Sequence, residues 1–149
     1  MSNAILTTDI TNETLINKLN VFLKTNDFKA SDEENLFKKT ILTDTQEMIF
    51  NIKLSPQKAN IISCTIPIKK NLSKQDKTDI IVFLNQLAGK HKYFAFNFAE
   101  RSDRTYNIYI RLTYIPTDNP NDIILPYNVF REEITNKIYP KIIKFLAEV

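Results

Sequence analysis

Glycine is almost absent from this chain, which has one glycine, Gly89, among 149 residues. Phosphate-binding Walker loops, dinucleotide-binding fingerprints and the nucleophile elbow of hydrolases each need several glycines at fixed spacing, so the sequence excludes those sites. The chain also has one cysteine and one histidine, which excludes disulfide frameworks, Cys/His zinc sites and paired-cysteine redox centres. We therefore expect a protein that is not an enzyme and holds no metal or cofactor.

The residues that are present are sufficient for one folded core. They are 43% hydrophobic and 25% charged, which is typical of a single globular domain. The N-terminus, MSNAILTTDIT, lacks the basic and apolar segments of a signal peptide, and no apolar run approaches the ~20 residues that span a membrane. We expect a cytoplasmic bacterial protein without a membrane segment. We expect residues 1–149 to form a single domain, with residues 1–10 as a flexible N-terminal segment.

The first half of the chain predicts a helix followed by three strands. Thr11 or Asn12 caps the helix. Its apolar residues recur at helical spacing at Leu15, Ile16, Leu19, Phe22 and Leu23. A weak strand pattern covers Leu36–Leu42. The next two strands alternate apolar with other residues, and their apolar sets are Met48, Phe50, Ile52, Leu54 and Ile62, Cys64, Ile66, Ile68.

The parity of the connection fixes how these two strands pair. A slip of one residue turns a strand over, so both apolar sets share a face only if an odd number of residues connects them. A three-residue loop at Pro56–Lys58, with Leu54 opposite Asn60, meets this condition.

A second helix is predicted from Ser73, with Asp76 completing a capping box. Its apolar residues are Ile80, Ile81, Leu84, Leu87 and Ala88. Gly89 is placed just beyond this helix, where a residue with positive φ is favoured. A hairpin then joins Lys92–Ala99 to Thr105–Ile115 through the five-residue loop Glu100–Arg104.

The hairpin has one core face and one mixed face. The core face carries Phe94, Phe96, Phe98, Ile108 and Ile110. The mixed face carries Tyr93, Asn97, Asn107, Tyr109 and Arg111. A last helix is predicted to begin near Pro126–Tyr127 and to kink near Asn136–Pro140, because proline lacks a backbone donor. The fold class is α+β, an antiparallel sheet packed by helices in the order α-β-β-β-α-β-β-α.

Three groups of residues are candidates for catalysis or for nucleic-acid binding. Cys64 and His91 are the sole candidates for a nucleophilic pair, but Cys64 lies on an apolar strand face and His91 follows the helix end, so we interpret both as structural. The string Lys92–Phe98 has the basic and aromatic alternation of an RNA-recognition strand, although the element order differs from that domain. A lysine cluster, the Lys69–Lys77 patch (Lys69, Lys70, Lys74, Lys77), offers an alternative nucleic-acid-binding surface.

The order of elements resembles the YbjN-like family, which shares its fold with the type III secretion chaperones. The similarity runs from about Thr11 to Glu148 and is best over Ile80–Phe98, where a helix ending in FLNQL leads into the aromatic strand. The resemblance implies no catalytic residues. It implies a homodimer, since secretion chaperones of this fold dimerise. Those chaperones tend to be acidic, whereas this chain carries a formal charge of +3.

The predicted function is protein binding, chaperone-like or regulatory, through a sheet face or a dimer groove. Partner-binding residues are predicted at Tyr93, Tyr109, Arg111, Ile49 and Ile61, since Tyr and Arg are enriched at interfaces. The second helix is apolar over more than one stripe, which predicts a dimer interface at Val82 and Phe83. An immunity or antitoxin-type binder and a nucleic-acid-associated protein are the alternatives.

Overall fold

One antiparallel sheet organises the part of the chain that the computed structural model describes, which is residues 21–33, 36–42, 46–54, 60–101, 105–114 and 121–149. Its strands are β1 (Lys29–Ala30), β2 (Leu36–Leu42), β3 (Glu47–Lys53), β4 (Asn60–Ile68), β5 (Ala95–Glu100) and β6 (Tyr106–Tyr114). They lie in the order β1-β2-β3-β4-β6-β5. The predicted fold class is confirmed, with the two-residue β1 as an addition.

The helices pack on one face of this sheet. Helix α1 is described over residues 21–25, and α2 (Lys74–Lys90), α3 (Asn121–Glu133) and α4 (Tyr139–Ala147) follow. The predicted cap of α1 at Thr11 or Asn12 lies outside the described residues. Within the described ranges, no helix has the length and apolar character to span a membrane.

The core lies between the helices and the inner face of the sheet. Phe50 of β3 meets the rings of Tyr127 and Phe130 of α3 edge-on, with ring centroids 6.2 Å apart in each case. The residues of this face alternate with those of the other, as the strand patterns predict. Its fully buried members on β3, β4 and β6 are Phe50, Ile52, Ile62, Cys64, Ile66 and Ile110.

The predicted strand registers are largely confirmed. Phe50 pairs with Cys64 and Ile52 with Ile62, a register that places Leu54 opposite Asn60 as parity predicts. The connecting residues 55–59 lie outside the described part of the chain. In the aromatic hairpin Glu100 pairs with Tyr106, so the turn lies one residue later than predicted, and the paired residues keep their assigned faces. The first strand of the hairpin begins at Ala95 and not at the predicted Lys92.

Two predicted helix boundaries are wrong. Gly89 lies inside α2 without a positive φ, and the helix ends at His91, whose N–H donates to the Leu87 carbonyl. The backbone of His91 closes the helix at a φ of −122°, so no left-handed residue is needed. At the other boundary α3 begins at Asn121, and Pro126 lies inside it. A proline this near the start of a helix disrupts bonding only to its first turn.

The capping box of α2 and the irregularity of the last helix follow the sequence. The Asp76 N–H donates to Ser73 Oγ at 3.0 Å, and the Ser73 N–H donates to Asp76 Oδ2 at 2.9 Å. A π-helical turn, Ile134–Ile138, joins α3 to α4 directly before Pro140. Because proline cannot donate to the carbonyl four residues earlier, regular α-helical bonding is interrupted in this region.

Candidate protein-binding face

The second face of the sheet, which we call the outer face, is built of rows of side chains that cross the strands. The strand registers place these residues side by side, with one member from each of β2, β3, β4, β6 and β5. The central row is Thr40, Ile49, Thr65, Tyr109 and Asn97. The adjacent row is Lys38, Asn51, Ser63, Arg111 and Ala95.

A shallow cavity of about 420 Å³ opens between these rows, over β6. Ser63 and Ala95 flank Arg111 in its row, and their small side chains leave the space around it open. Tyr109 and Asn97 form the opposite wall. The cavity therefore places a guanidinium and a phenol ring next to each other.

The ring of Tyr109 is held in place by its neighbour on the strand. Asn107 Nδ2 donates to Tyr109 Oη at 2.9 Å. Asn107 is buried, so this hydrogen bond is partly protected from water. Nearby, Asn51 Nδ2 donates to Thr65 Oγ1 at 3.5 Å, which ties β3 to β4 on the same face. These polar contacts fix the outer face before any partner arrives.

The unpaired charge on the outer face is positive. Lys53 pairs with Glu33 at 3.1 Å, and Glu47 pairs with Lys69 at 3.6 Å. Arg111 and Lys38 are exposed, and neither forms an ion pair with any residue that the structure describes. Lys29 of β1 lies beside Lys38 in the same row, is exposed, and likewise has no ion pair among the described residues, so the outer face carries three such cations.

Four of the five predicted partner-binding residues share the outer face. Ile49 lies in the row of Tyr109, and Ile61 lies beside the row of Arg111. Both isoleucines are half-buried. Tyr93 lies elsewhere, because β5 begins only at Ala95 and the alternation of the hairpin does not extend back to it. Its side chain is 89% exposed.

The two predicted dimer-interface residues differ in their surroundings. The ring of Phe83 stacks on Phe145 of α4, with centroids 4.3 Å apart and planes within 3° of parallel. The last helix of the same chain therefore covers Phe83. Val82 and Ile81 remain about half exposed, at 50% and 47%.

Most of the Lys69–Lys77 patch is engaged by internal partners. Lys69 and Lys77 form ion pairs with glutamates of the sheet, at 3.6 and 3.1 Å. Lys70 Nζ donates to two backbone carbonyls at the end of the chain. The hydrogen bond to its glutamate raises the pKa of Lys77. Only Lys74 of the patch has no ion pair or hydrogen bond through its ammonium among the described residues, which reduces what the patch offers to a phosphate.

Cys64 and His91 do not form a pair. Cys64 is fully buried, and burial raises the pKa of its thiol to about 12, so it is inert as a nucleophile. His91 instead contacts a residue that the sequence did not connect with it, since its Nδ1 lies 3.0 Å from Glu133 Oε1 of α3. These two residues are far apart in sequence, and no local pattern could have paired them. Among the described side chains, no three His, Cys, Asp or Glu residues group as a metal site requires.

Comparison with protein-family models, with curated proteins and with solved structures gives no match. The geometry of the outer face is therefore the basis for a function of this protein.

Proposed function

We propose that this protein is a non-enzymatic protein-binding module whose outer face binds an acidic segment of a partner protein. The observation that carries the proposal is the side-by-side placement of Arg111 and Tyr109 at an open cavity. A chaperone-like or regulatory role fits a module of this kind, as the resemblance to the YbjN-like family also implies.

Arg111 supplies the polar part of the recognition. A guanidinium forms paired hydrogen bonds with a carboxylate, and arginine is enriched at interfaces for this reason. Arg111 is exposed and has no carboxylate partner among the described residues. Lys38, three strands away in the same row, and Lys29 beside it on β1 add two further cations without an ion pair among the described residues. These cations favour a partner that presents Asp or Glu.

Tyr109 and the two isoleucines supply apolar contact area. Tyr109, Ile49 and Ile61 are half-buried, so each leaves part of its surface available to a partner. A tyrosine already held by a hydrogen bond loses little conformational freedom on binding. This mixture of apolar and polar groups on one face is typical of an interface with a partner that binds and dissociates, rather than of an interface between permanent subunits.

Comparative capture tests the proposal. Tagged wild-type protein, Arg111→Glu, Tyr109→Ser and the control Lys141→Glu are incubated with nuclease-treated lysate of the source cells, and captured proteins are quantified by mass spectrometry. Lys141 is exposed on α4, so its substitution changes the net charge as Arg111→Glu does but leaves the outer face intact. We expect at least one protein that the wild type and Lys141→Glu retain and both outer-face variants lose.

Each captured protein is then purified and titrated directly. A synthetic peptide of its most acidic surface segment is expected to bind wild-type protein, and to bind Arg111→Glu at least tenfold more weakly. The same capture pattern for all four proteins would contradict the assignment of the outer face. Proteins that are captured from untreated lysate but not from nuclease-treated lysate would favour the nucleic-acid alternative instead.

A further inference from the structure

A second cavity lies where the turn after α2 meets α3, separate from the outer face. Its volume is about 510 Å³, within the range of ~300–1,000 Å³ that is usual for small-molecule sites. Its lining residues come from α2, the turn before β5, β6 and α3. They are Lys90, His91, Lys92, Tyr93, Phe94, Leu112, Val129 and Glu133.

The walls of this cavity are mainly apolar, and two of its lining residues are exposed to solvent. Tyr93 is 89% exposed and Val129 is 61% exposed, so both can contact a ligand that enters the cavity. Phe94 and Leu112 are half-buried behind them. Phe94 also meets the ring of Phe130 edge-on, at a centroid distance of 5.1 Å, which anchors this wall to the core. The cavity wall therefore combines the anchored ring of Phe94 with the solvent-exposed side chains of Tyr93 and Val129.

The charged groups around the cavity are mostly cationic. Lys90 and Lys92 are exposed at its margin, and neither is in an ion pair within the described chain. Glu133 is the one carboxylate among the lining residues, and it is already engaged by His91 at 3.0 Å and by Lys137 at 3.5 Å. The free charge at the cavity is therefore the charge of two lysines.

His91 leaves a polar atom unsatisfied in the cavity wall. Its side chain is 10% exposed, and its Nδ1 contacts Glu133. Its Nε2 is buried and has no hydrogen-bond partner among the residues described. An unsatisfied buried nitrogen is costly, and such atoms are rare in folded proteins unless a ligand, a water or a functional role accounts for them.

We propose that this cavity binds a small aromatic carboxylate. The flat ring of the ligand would lie against Tyr93, Phe94 and Val129, and its carboxylate would be held at the margin by Lys90 and Lys92. The ligand class follows from the apolar walls and the two unpaired ammonium groups. The site does not share a residue with the outer face, so it is independent of the protein-binding proposal.

A titration with 2-naphthoate, followed by ¹⁵N–¹H NMR, tests the proposal. The neutral analogue 2-naphthalenemethanol has the same ring system without the charge. We expect 2-naphthoate to shift the amide signals of residues 90–94 and 129–133 and to bind about tenfold more tightly than the alcohol. The double variant Lys90→Ala/Lys92→Ala should lose about tenfold in affinity for 2-naphthoate, because two exposed ionic contacts are removed.

Helix α3 offers a matched pair of wall variants. Val129→Asp places a carboxylate in the cavity wall, whereas Leu125→Asp introduces the same group one turn away, at a residue that does not line the cavity. The two residues are exposed to nearly the same extent, 61% and 63%, so both variants should fold alike. We expect Val129→Asp to abolish binding and Leu125→Asp to retain it. Equal effects of the two variants, equal affinity for acid and alcohol, or no shift of these amides at about 5 mM 2-naphthoate would overturn the proposal.

Discussion

Replacing Tyr127 with phenylalanine is expected to stabilise the protein. Tyr127 is fully buried, and its ring meets Phe22, Phe28 and Phe50 edge-on at centroid distances of 5.7, 5.2 and 6.2 Å. Its hydroxyl is also buried, with no hydrogen-bond partner in the part of the chain described. The variant keeps every ring contact and removes only the unsatisfied oxygen.

The size of this effect follows from the cost of the orphaned hydroxyl. An unsatisfied buried polar group destabilises a fold by ~1–3 kcal/mol, so its removal stabilises the variant by a similar amount. The small cavity left by the missing oxygen atom destabilises the variant and offsets part of this gain. We expect Tyr127→Phe to raise the free energy of unfolding by about 1 kcal/mol, or about 3 °C in Tm for a chain of this length. The matched control is Tyr109→Phe, which deletes a hydroxyl that accepts from Asn107 at 2.9 Å. It should lower the free energy of unfolding by about 1 kcal/mol.

The gain from Tyr127→Phe should grow at alkaline pH. Burial raises the pKa of Tyr127 to about 12, from an ordinary value of 10.0. Above pH 10 the unfolded chain loses this proton before the folded chain does, so the unfolded state is favoured as the pH rises through the folded pKa. The variant lacks this contribution. Its advantage should therefore increase by up to about 1.4 kcal/mol per pH unit between about pH 10 and pH 12, and stay constant above that.

Urea unfolding followed by circular dichroism, at pH 7 and pH 10.5, measures both effects. Cys64, whose pKa burial also raises, is present in wild type and variants alike, and its charge is a smaller cause of the Tyr127 shift than burial. A Tyr127→Phe protein less stable than wild type at pH 7 would show that the hydroxyl has a partner. An advantage that stays the same at both pH values would show that burial does not raise the pKa of this phenol.

Three further predictions concern α2. Ser73→Ala should lower the free energy of unfolding by about 1 kcal/mol in urea titrations, because it removes the capping hydroxyl. Hydrogen bonds from Ser73 lower the pKa of Asp76. Their contribution to stability is therefore present above the ordinary carboxyl pKa and is lost as the pH falls through the folded pKa. Asp76→Asn should abolish this loss of stability at acid pH in thermal scans. Gly89→Ala should raise Tm, corresponding to about 0.5–1 kcal/mol, because Gly89 is helical and an added Cβ meets nothing within 4 Å. We also predict a homodimer, twice 17.4 kDa by light scattering, that Val82→Glu dissociates.

A control or a contradicting outcome is defined for the Ser73, Gly89 and homodimer predictions. Lys74→Ala changes a neighbouring exposed residue without touching the cap, so it should leave the urea midpoint nearly unchanged. A Gly89→Ala protein less stable than wild type would mean that the helix end needs a flexible residue after all. A wild-type mass near 17.4 kDa at about 50 µM would exclude a dimer with a Kd below that concentration.

Local rules correctly predicted β2, the pairing of β3 with β4 and the start of α2. The pairing of Ile52 with Ile62 depends only on side-chain alternation and an odd connection, and both can be read from the sequence. The Ser73 cap likewise needs a partner only three residues away. Such features are encoded within a few positions, so a single sequence suffices to predict them.

Features that depend on distant contacts could not be predicted in this way. The His91–Glu133 contact joins the end of α2 to α3, and the stack of Phe83 on Phe145 joins α2 to α4. The start of β5 also depends on its neighbour, since Tyr93 continues the alternating pattern but lies before the first residue that pairs with β6. Alternation predicted a common face for Tyr93 and Tyr109 that the pairing of the strands does not produce.

The one-sided sheet separates the residues that hold the fold from those that we propose contact a partner. Phe50, Ile52, Cys64 and Ile110 are completely buried on the inner face, while most outer-face residues of the same strands are half-buried or exposed. Substitutions at exposed outer-face positions such as Arg111 therefore remove little buried area and change stability by small amounts. The proposed recognition surface can diverge through such substitutions while the backbone beneath it stays in place. Under this proposal, specificity for a new partner can evolve without a compensating change in the core.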